Sequence, residues 1–540
     1  MRNRRSHAFK TAATAVLALT MALPGVAGAA QADSTGSGLA PIRETAGKLG
    51  AQVRWDRASR TVTVTKGTTT LVLTIGQATA TLNGAPVQLG EPLRVVRNQT
   101  LISPDLLAQW LAAVSEQPEE AADTADLFIR ALSQGDAKQA LQYMSPEFKK
   151  VATEPQLQSL WAAYGQVYGN VVKQLSKTTS RNAVHDNVTY TYQTDKTQLS
   201  YTVRLNKKGE VDDLYIGTAN PSSYHAPSYD HPSEYTEEEV TIGEGPLALP
   251  GTLTKPATGG PFPVVVLVHG SGTHDRDSSI YGAKPFRDLA VGLAAQGIAV
   301  LRYDKVTYEH TFKIASDPKI TLRRETVDDA IAAVNLLKTR ADIDASRIFV
   351  AGHSQGGFAM PLIVDADKDH AIKGTILLSA PSGKFTDLLV EQQQELIKRV
   401  KSLGQDTAPY EQSAAQVKAV ADMVNDPQYS ADHLPSNFPA SNAYWWYEQR
   451  DYVPVELAKK QSGPMLVLQG ENDFQVPIDQ FEGWKSGLQN RSDVEFKSYP
   501  KVTHLLGEYD GVSTGAEYVQ PSNVAEAIVN DIASWIKRTP

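Results

Sequence analysis

Three stretches of the chain differ in how hydrophobic and polar positions are spaced. Between residues 40 and 115, apolar and polar residues alternate in short runs such as Thr61–Thr65, and Asn83-Gly84 marks a hairpin turn. Between residues 119 and 218, helical periodicity comes first and strands follow, with 157–174 predicted as the last helix. These patterns predict two small α+β domains.

From residue 235 to residue 540 the pattern changes to short apolar runs that alternate with helical segments. The run Val264–Val268 is apolar at every position, which is typical of a strand buried on both faces of a parallel sheet. We therefore expect an α/β domain with a mostly parallel eight-stranded sheet. The predicted strands are Glu237–Ile242, Leu247–Leu253, Pro263–Val268, Ala299–Tyr303, Ile348–Ala351, Gly374–Leu378, Met465–Gln469 and Val494–Tyr499. The helices expected between them include Phe286–Gln296, Arg323–Arg340 and Val524–Arg538.

The segment from about 383 to 460, between the sixth and seventh predicted strands, is too long for a simple crossover. Phe385–Leu403 and Ser413–Val424 have the periodicity of amphipathic helices, so we expect a helical cap there. We expect the aromatic cluster Tyr444–Tyr447 to pack this cap onto the core. The alternative is that one or two of its rings line an acyl or alcohol pocket.

The fifth predicted strand runs directly into Gly352-His353-Ser354-Gln355-Gly356, and a helical segment follows. In a strand–turn–helix of this kind the two backbones come close together, so small residues are needed on both sides of the serine. The turn presents the serine hydroxyl at its apex. Ser354 is therefore the candidate nucleophile. A chance match to Gly-x-Ser-x-Gly is the weaker interpretation, because the flanking strand and helix are both present.

A serine hydroxyl is a weak nucleophile, so it needs a base and a group that orients the base. In sites built on such a strand–turn–helix, the histidine follows the serine along the chain. Three histidines do so here: His370, His433 and His504. His370 lies in a polar turn and His433 in an insertion rich in Pro and Asn, whereas His504 follows the last core strand. Active sites of open α/β sheets form at the carboxyl ends of strands. His504 is therefore the predicted base.

The eight strands, with the serine turn after the fifth, closely resemble the α/β-hydrolase fold over the whole carboxy-terminal half. In that superfamily the order along the chain is nucleophile, acid, histidine. The run Gly470–Pro477 matches the hydrolase pattern Gly-x-x-Asp-x-x-Val-Pro, which implies Asp473 as the acid. Glu471 and Asp479 are the alternatives, but Glu471 lies too near the strand and Asp479 lies beyond the proline.

The resemblance also implies two backbone N–H donors, an oxyanion hole, for the charge of a tetrahedral intermediate. One is Gln355, and the other is Ser271 in the run His269-Gly270-Ser271-Gly272 after the third strand. Asp275-Arg276-Asp277 follows that run, and the two together resemble a subgroup of exported bacterial esterases. We expect these three charged residues to form ion pairs that stiffen the loop.

Residues 40–115 resemble the stalk-like module named after the amino-terminal domain of copper amine oxidases. The name implies no copper here, because the stretch contains no histidine, and a structural or cell-envelope-binding role is expected. Residues 119–218 resemble the cone-shaped domains of the nuclear-transport-factor-2-like superfamily. Their sequence shows no convergent set of titratable residues, so we expect a spacer or a substrate-gating domain.

Residues 1–32 combine four basic residues, the apolar run Ala12–Leu23 and a small-residue end at Ala30-Gln31-Ala32, as a secretory signal peptide does. Its removal takes away four positive charges and changes the net charge from −8 to −12. The chain has no cysteine, so it has no disulfides, thiolate metal sites or lipoprotein anchor. We expect a secreted protein, free or in contact with the cell envelope. We expect it to bind no nucleic acid and to have no membrane span after signal removal.

These observations predict a secreted serine hydrolase that cleaves small-molecule carboxylic esters, with short to medium acyl chains, through an acyl-enzyme. Neither a metal nor an organic cofactor is implied. A serine peptidase of the acylaminoacyl-peptidase type is the first alternative, although no propeller-type repeats precede the hydrolase domain. The second is a cell-envelope binding protein with a vestigial hydrolase fold, which the presence of Ser354, Asp473 and His504 disfavours.

Overall fold

The computed structural model describes residues 40–49, 51–56, 59–66, 69–82, 85–89, 93–96, 99–103, 106–107, 119–219, 222–440 and 442–539. The chain divides into two compact units, one holding residues 220–540 and the other holding most of the residues before them. The predicted signal peptide at residues 1–32 lies outside the described residues. Within the described ranges, no helix is both long enough and apolar enough to cross a membrane.

The described residues of the first module include two antiparallel sheets and the helix Ile42–Lys48. The larger sheet contains, in order, Gln52–Asp56, Thr61–Lys66, Thr69–Thr74, Thr79–Leu82 and Ala85–Gln88. The smaller one contains, in spatial order, Ala40–Pro41, Gln99–Ile102 and Arg94–Val96. Leu82 pairs with Ala85, as the predicted hairpin requires, and its turn residues Asn83 and Gly84 lie outside the described residues. Alternate strand residues such as Val62 and Val64 are buried, as their spacing predicted.

Helices followed by a sheet form the second module, in the predicted order. The helices are Glu119–Ser133, Ala137–Gln142, Pro146–Val151 and Glu154–Tyr168. The strands form an antiparallel meander of Val171–Arg181, Asp186–Thr194, Gln198–Leu205 and Val211–Thr218. The helix predicted at 157–174 is wrong at its end. It stops at Tyr168 because Gly169 adopts φ = +91°, a left-handed conformation that ends helices, and a strand starts at Val171.

The carboxy-terminal sheet has eight strands, as predicted. They are β1 (Tyr235–Ile242), β2 (Leu249–Pro256), β3 (Phe262–Val268), β4 (Ala299–Tyr303), β5 (Ile343–His353), β6 (Ile372–Leu378), β7 (Met465–Gly470) and β8 (Val494–Tyr499). Their spatial order is β1-β2-β4-β3-β5-β6-β7-β8. Strand β2 pairs antiparallel with β1 and β4. Each remaining pair of neighbours, from β4-β3 through β3-β5 to β7-β8, is parallel.

Two hydrophobic cores lie on the two faces of this sheet. Val264 and Val266 of β3 belong to one core, and Val265 and Leu267 belong to the other, so the continuous apolar run is explained by burial on both sides. The helices that contribute to these cores or flank them are Pro285–Ala294, Val306–Glu309, Thr311–Ala315, Asp328–Lys338, Gln355–Phe358, Met360–Ala366, Ile478–Gly487 and Glu526–Arg538.

The structure differs from the prediction at two places beside β5, which leads into the sharp turn at Ser354, here called the elbow. The helix predicted as Arg323–Arg340 consists of a π-helical turn, Arg323–Val327, followed by the α-helix Asp328–Lys338. Strand β5 begins at Ile343 rather than Ile348, because Ile343 pairs with Phe262 across a register shift and the polar residues between extend the strand. The apolar run alone marked only the buried part of the strand.

A helical cap lies between β6 and β7, as predicted. Its helices are Phe385–Ser402, Ala408–Asn425, Ala443–Glu448 and Pro454–Ala458. Aromatic rings hold it together and attach it to the core. Trp445 lies edge-on to Phe385 with ring centroids 5.5 Å apart, and Tyr452 lies edge-on to Phe358 of the elbow helix at 5.0 Å. The Tyr452 hydroxyl also donates to the Phe358 carbonyl at 2.9 Å.

Candidate active site

Ser354 lies at the sharp turn between β5 and the helix Gln355–Phe358, with φ = +53° and ψ = −118°. Few non-glycine residues adopt this conformation, and the surrounding backbone has to hold it in place. A side chain at Gly352 would overlap the backbone of Gly356, and one at Gly356 would overlap the carbonyl oxygen of Val268. Both glycines are therefore required by the close approach of β3, β5 and the elbow helix.

His504 and Asp473 form a buried pair at the carboxyl ends of β8 and β7. Nδ1 of His504 lies 2.7 Å from Oδ2 of Asp473, and the two residues are 5% and 0% exposed. The other carboxylate oxygen, Oδ1, accepts the backbone N–H groups of Gln475 and Val476 at 2.8 and 3.0 Å. Since a carboxylate only accepts, Nδ1 of His504 carries the proton and Nε2 is left free to act as a base.

The pKa of Asp473 is set by opposing effects. Burial acts to raise it, but the interaction with His504 and the two backbone N–H groups outweigh burial and lower the pKa below its usual range. Asp473 is therefore ionised at neutral pH. A fixed negative charge at this position stabilises the imidazolium that forms when His504 takes a proton.

The other candidate bases and acids lie elsewhere. His370 and His433 are exposed at the surface. Glu471 accepts a hydrogen bond from the Ser498 hydroxyl at 2.7 Å, and Asp479 lies in the first turn of the helix Ile478–Gly487. The geometry thus brings His504 together with Asp473 and with none of these alternatives.

The loop that carries His504 is attached directly to the end of the elbow strand. Nε2 of His353 donates to the backbone carbonyl of His504 at 2.8 Å, and the two rings lie 4.6 Å apart. Burial, followed by the charge of His504, lowers the pKa of His353 to about 3, so this imidazole is neutral at pH 7. His353 therefore acts as a fixed link between the nucleophile's strand and the base's loop.

The predicted oxyanion loop lies against the nucleophile. A side chain added at Gly270 would meet Cβ of Ser354 at 3.2 Å, which shows how close the two backbones are. The three successive carbonyls of Gly270, Ser271 and Gly272 each accept a side-chain donor. Nζ of Lys305 lies 2.8 Å from the first, Nε2 of His274 lies 2.7 Å from the second, and the Thr307 hydroxyl lies 2.8 Å from the third. A side-chain hydrogen bond to each of these three carbonyls therefore stabilises the conformation of the loop.

The ion pairs predicted for the continuation of this loop are present. Arg276 pairs with Asp304 at 3.1 Å, and Asp277 pairs with Arg302 at 2.9 Å. Asp275 accepts the backbone N–H of Ser279 at 2.8 Å instead of forming one of these pairs. The pairs attach the loop after β3 to β4 and the residue that follows it.

A cavity of about 110 Å³ opens onto Ser354. Ser271 and Gln355 line the same space, so Ser354 and the two residues predicted to supply oxyanion donors border one cavity. The cap and residues 314–320 supply most of its apolar lining, Ile314, Ile320, Phe385, Leu389, Trp445 and Trp446, together with the polar residues Asp317, Gln392 and Asn442. Trp445 and Trp446 of the aromatic cluster therefore both pack within the cap and line the pocket.

Sequence reasoning missed two residues that hold this site together. Arg399 of the first cap helix donates to the backbone carbonyls of Asn472 and Asp473 at 2.8 and 3.1 Å. It fixes the turn that presents the acid, and no local pattern marks it among the charged residues of that helix. Lys305 follows β4 by two residues, at the edge of the sheet where active-site groups gather, and that position was a usable signal.

Comparison with known proteins agrees with this architecture. Residues 259–509 match the family described as serine aminopeptidase, S33, and residues 28–122 match the copper amine oxidase N-terminal domain. Over 411 residues the chain is 29% identical to Esterase EstD of Thermotoga maritima, an alignment that covers 76% of this chain and 94% of that one. An alignment of this length extends beyond the hydrolase domain into the residues before it.

Two solved esterases also align with the chain. Est1E from Butyrivibrio proteoclasticus aligns with a TM-score of 0.35 and 16% identity, over 56% of this chain and 98% of its own. The Pyrococcus furiosus esterase PF2001 aligns with a TM-score of 0.37 and 15% identity, over 59% and 98%. TM-scores this low carry no argument about the fold, which follows from the family matches and the strand order. The strand order and the S33 family match together give residues 235–540 the α/β-hydrolase fold, and the residues before them include a stretch similar to the copper amine oxidase N-terminal domain.

Proposed function

We propose that this protein is an exported carboxylesterase that hydrolyses small esters through an acyl-enzyme on Ser354. The observation that carries the proposal is the cavity lined by the strained Ser354 and by Ser271 and Gln355, next to a loop that holds the buried Asp473–His504 pair. A serine elbow, an oriented histidine and an oxyanion loop are the parts that acyl transfer needs. The similarity to Esterase EstD supports an ester as the substrate.

The reaction follows from the positions of these groups. The Ser354 hydroxyl attacks the acyl carbon and gives its proton to Nε2 of His504, while Asp473 stabilises the imidazolium. The N–H groups of Ser271 and Gln355 receive the negative charge that develops on the acyl oxygen. His504 then returns the proton to the leaving alcohol. Water attacks the acyl-enzyme by the same steps and releases the acid.

The size and lining of the cavity support short to medium acyl chains. A cavity of about 150 Å³ lined by Leu, Ile and Phe holds one benzene molecule, and the cavity beside Ser354 measures about 110 Å³. Its apolar wall favours an uncharged acyl group over a charged one. Acyl chains of roughly four to six carbons are therefore the expected substrates, and longer chains need the cap to move.

An aminopeptidase is the second candidate, and one observation favours it. The carboxylates of Glu325 and Asp317 line the cavity, where a carboxylate can bind a peptide's amino terminus. However, Glu325 is paired with Lys305 at 2.6 Å, so its charge is already balanced. Asp317 is exposed at the rim, and it remains the group that would bind an ammonium ion.

The two candidates are separated by substrate choice. Residues 33–540 would be assayed with p-nitrophenyl butyrate, octanoate and palmitate and with aminoacyl p-nitroanilides. The proposal predicts the highest kcat/KM for butyrate, a lower value for octanoate and the lowest for palmitate, and no turnover by Ser354→Ala. Faster cleavage of the anilides would move the assignment to a peptidase. Ester turnover that survives in Ser354→Ala would contradict the mechanism.

Export and the role of the amino-terminal modules belong to the same proposal. The signal-like residues 1–32 support export, and we propose that the modules act as spacers or hold the enzyme at the cell envelope. Amino-terminal sequencing of the protein recovered from the culture medium should give a start near Asp33. A chain that stays in the cytoplasm with Met1 retained would contradict export. Co-sedimentation with purified cell envelopes tests the binding role.

A further inference from the structure

A buried lysine lies directly behind the oxyanion loop. Lys305 follows β4 by two residues, and its side chain is only 3% exposed. Nζ donates to the carbonyl of Gly270 at 2.8 Å and to Oε1 of Glu325 at 2.6 Å. The ammonium group thus has one partner in the oxyanion loop and one in the wall of the cavity.

The bond to Gly270 acts on the peptide that carries the first oxyanion donor. The Gly270 carbonyl and the Ser271 N–H belong to one planar trans peptide, so they point in opposite directions. A donor at the carbonyl polarises the amide and strengthens the hydrogen bond that its N–H makes on the other side. Lys305 therefore lies behind the Ser271 N–H, and a Cβ built on Gly270 beside this peptide would lie 3.2 Å from Cβ of Ser354.

Glu325 connects the same lysine to the second donor. The side-chain Nε2 of Gln355 lies 3.4 Å from Oε2 of Glu325. The backbone N–H of the same Gln355 is the other predicted oxyanion donor. Glu325 also balances the charge of Lys305, which reduces the cost of burying an ammonium group. The two oxyanion donors are thus linked through one ion pair, Lys305–Glu325.

We propose that Lys305 is a positioning residue for the oxyanion hole: its charge polarises the Gly270–Ser271 peptide, and Glu325 balances that charge and holds Gln355. The proposal rests on the esterase function proposed above. A cation on the far side of this peptide stabilises the transition state, in which negative charge develops on the acyl oxygen, more than it stabilises a bound neutral ester. Thr307, on the Gly272 carbonyl, supports the same loop with a neutral donor.

The test removes both charges at once. The double variant Lys305→Met/Glu325→Gln keeps similar side-chain volumes and leaves no unpaired buried charge. Its kcat should fall about 10- to 100-fold, less than the 10²- to 10³-fold typical of deleting a donor outright, because the N–H group remains. KM should stay within about threefold of the wild-type value. The affinity for an alkyl trifluoromethyl ketone, which binds Ser354 as an oxyanion adduct, should fall by the same factor as kcat/KM.

A matched variant controls for the loss of a paired lysine. Lys255 of β2 pairs with Glu238 at 2.9 Å and with Asp342 at 2.6 Å, outside the site. Lys255→Met should keep both kcat and ketone affinity. Thr307→Val, which removes a neutral donor from the next carbonyl, should lower ketone affinity less than the double variant does.

Three results would overturn the role of Lys305. They are a double variant with wild-type kcat, a loss of activity without a matching loss of ketone affinity, and a double variant that does not fold. The last would show that the pair is needed for stability instead. Thermal unfolding followed by circular dichroism identifies that case. If the wild-type protein neither hydrolyses esters nor binds the ketone, the proposed function fails, and the two failures are thereby distinguished.

Discussion

Asp473→Asn changes one atom of the buried acid–base pair and tests how the pair works. The asparagine side chain must fit between two sets of partners. Oδ1 of Asp473 accepts the N–H groups of Gln475 and Val476, and Oδ2 faces Nδ1 of His504. Only the amide oxygen accepts hydrogen bonds, so it will take the Oδ1 position opposite the two backbone donors. The amide NH₂ group is then left facing His504.

That orientation changes the tautomer of His504. Facing an NH₂ donor, Nδ1 has to act as an acceptor, so the ring proton moves to Nε2. An Nε2 that carries a proton is unable to take one from Ser354. We therefore expect kcat to fall on the order of 10⁴-fold, the loss associated with a wrong tautomer in a serine triad. The fold should lose only about 1–3 kcal/mol, because the two backbone hydrogen bonds remain.

The assay is kcat for p-nitrophenyl butyrate at pH 7, with thermal unfolding of the same samples. Glu471→Gln is the matched control, since Glu471 is the neighbouring carboxylate and it contacts Ser498 rather than His504. It should keep kcat within about twofold. The reasoning is refuted if Asp473→Asn retains kcat within tenfold of wild type while remaining folded, or if Glu471→Gln shows the larger loss.

Three further predictions concern the elbow, the oxyanion loop and the pocket. Gly356→Ala places a methyl group against the Val268 carbonyl and should lower the free energy of unfolding, measured by thermal unfolding, by about 3 kcal/mol or more. Gly47→Ala, at a position with open space around it, should leave the stability of the protein unchanged. Burial acts to raise the pKa of Asp277, but Arg302 and Lys284 outweigh it and lower the pKa to about 2. This stabilisation is present above pH 4 and lost towards pH 2, so Asp277→Asn should be about 3 kcal/mol less stable at pH 7, with the gap closing below pH 4. An equal gap at pH 7 and pH 2.5 would be inconsistent with that ion pair. Leu389→Ala enlarges the cavity and should raise the ratio of octanoate to butyrate kcat/KM, while Leu396→Ala, buried on the same helix away from the cavity, should leave the ratio unchanged.

The strands of the hydrolase domain were predictable because burial on both faces leaves continuous apolar runs. The strand Val171–Arg181 was missed because almost all its residues are exposed, so neither an apolar run nor an alternation marks it. Its first residues instead extended the preceding helical pattern, and only the left-handed Gly169 ends that helix. Edge strands of this kind are specified by pairing with their neighbour rather than by their own sequence.

The candidate site divides in the same way. The sequence points to Ser354, Asp473, His504, Ser271 and Gln355 as site residues because each follows a recognisable strand in a fixed chain order. It does not point in this way to the side chains that hold them in place, because their contacts join distant parts of the chain. Arg399 reaches residues 73 and 74 positions further on, and Lys305 reaches back 35 positions to Gly270. No local pattern encodes these contacts, although the position of Lys305 just after β4 is a signal that it lies near the site.

The central claim is that Ser354 is the nucleophile of this cavity, and covalent labelling tests it most directly. The mature protein would be treated with one equivalent of an alkyl fluorophosphonate, and the adduct would be located by peptide mass spectrometry while esterase activity is followed. We predict a single adduct on Ser354, formed in proportion to the loss of activity. An adduct on Ser271, the other serine of the cavity, or full activity in protein labelled completely at Ser354, would contradict the account.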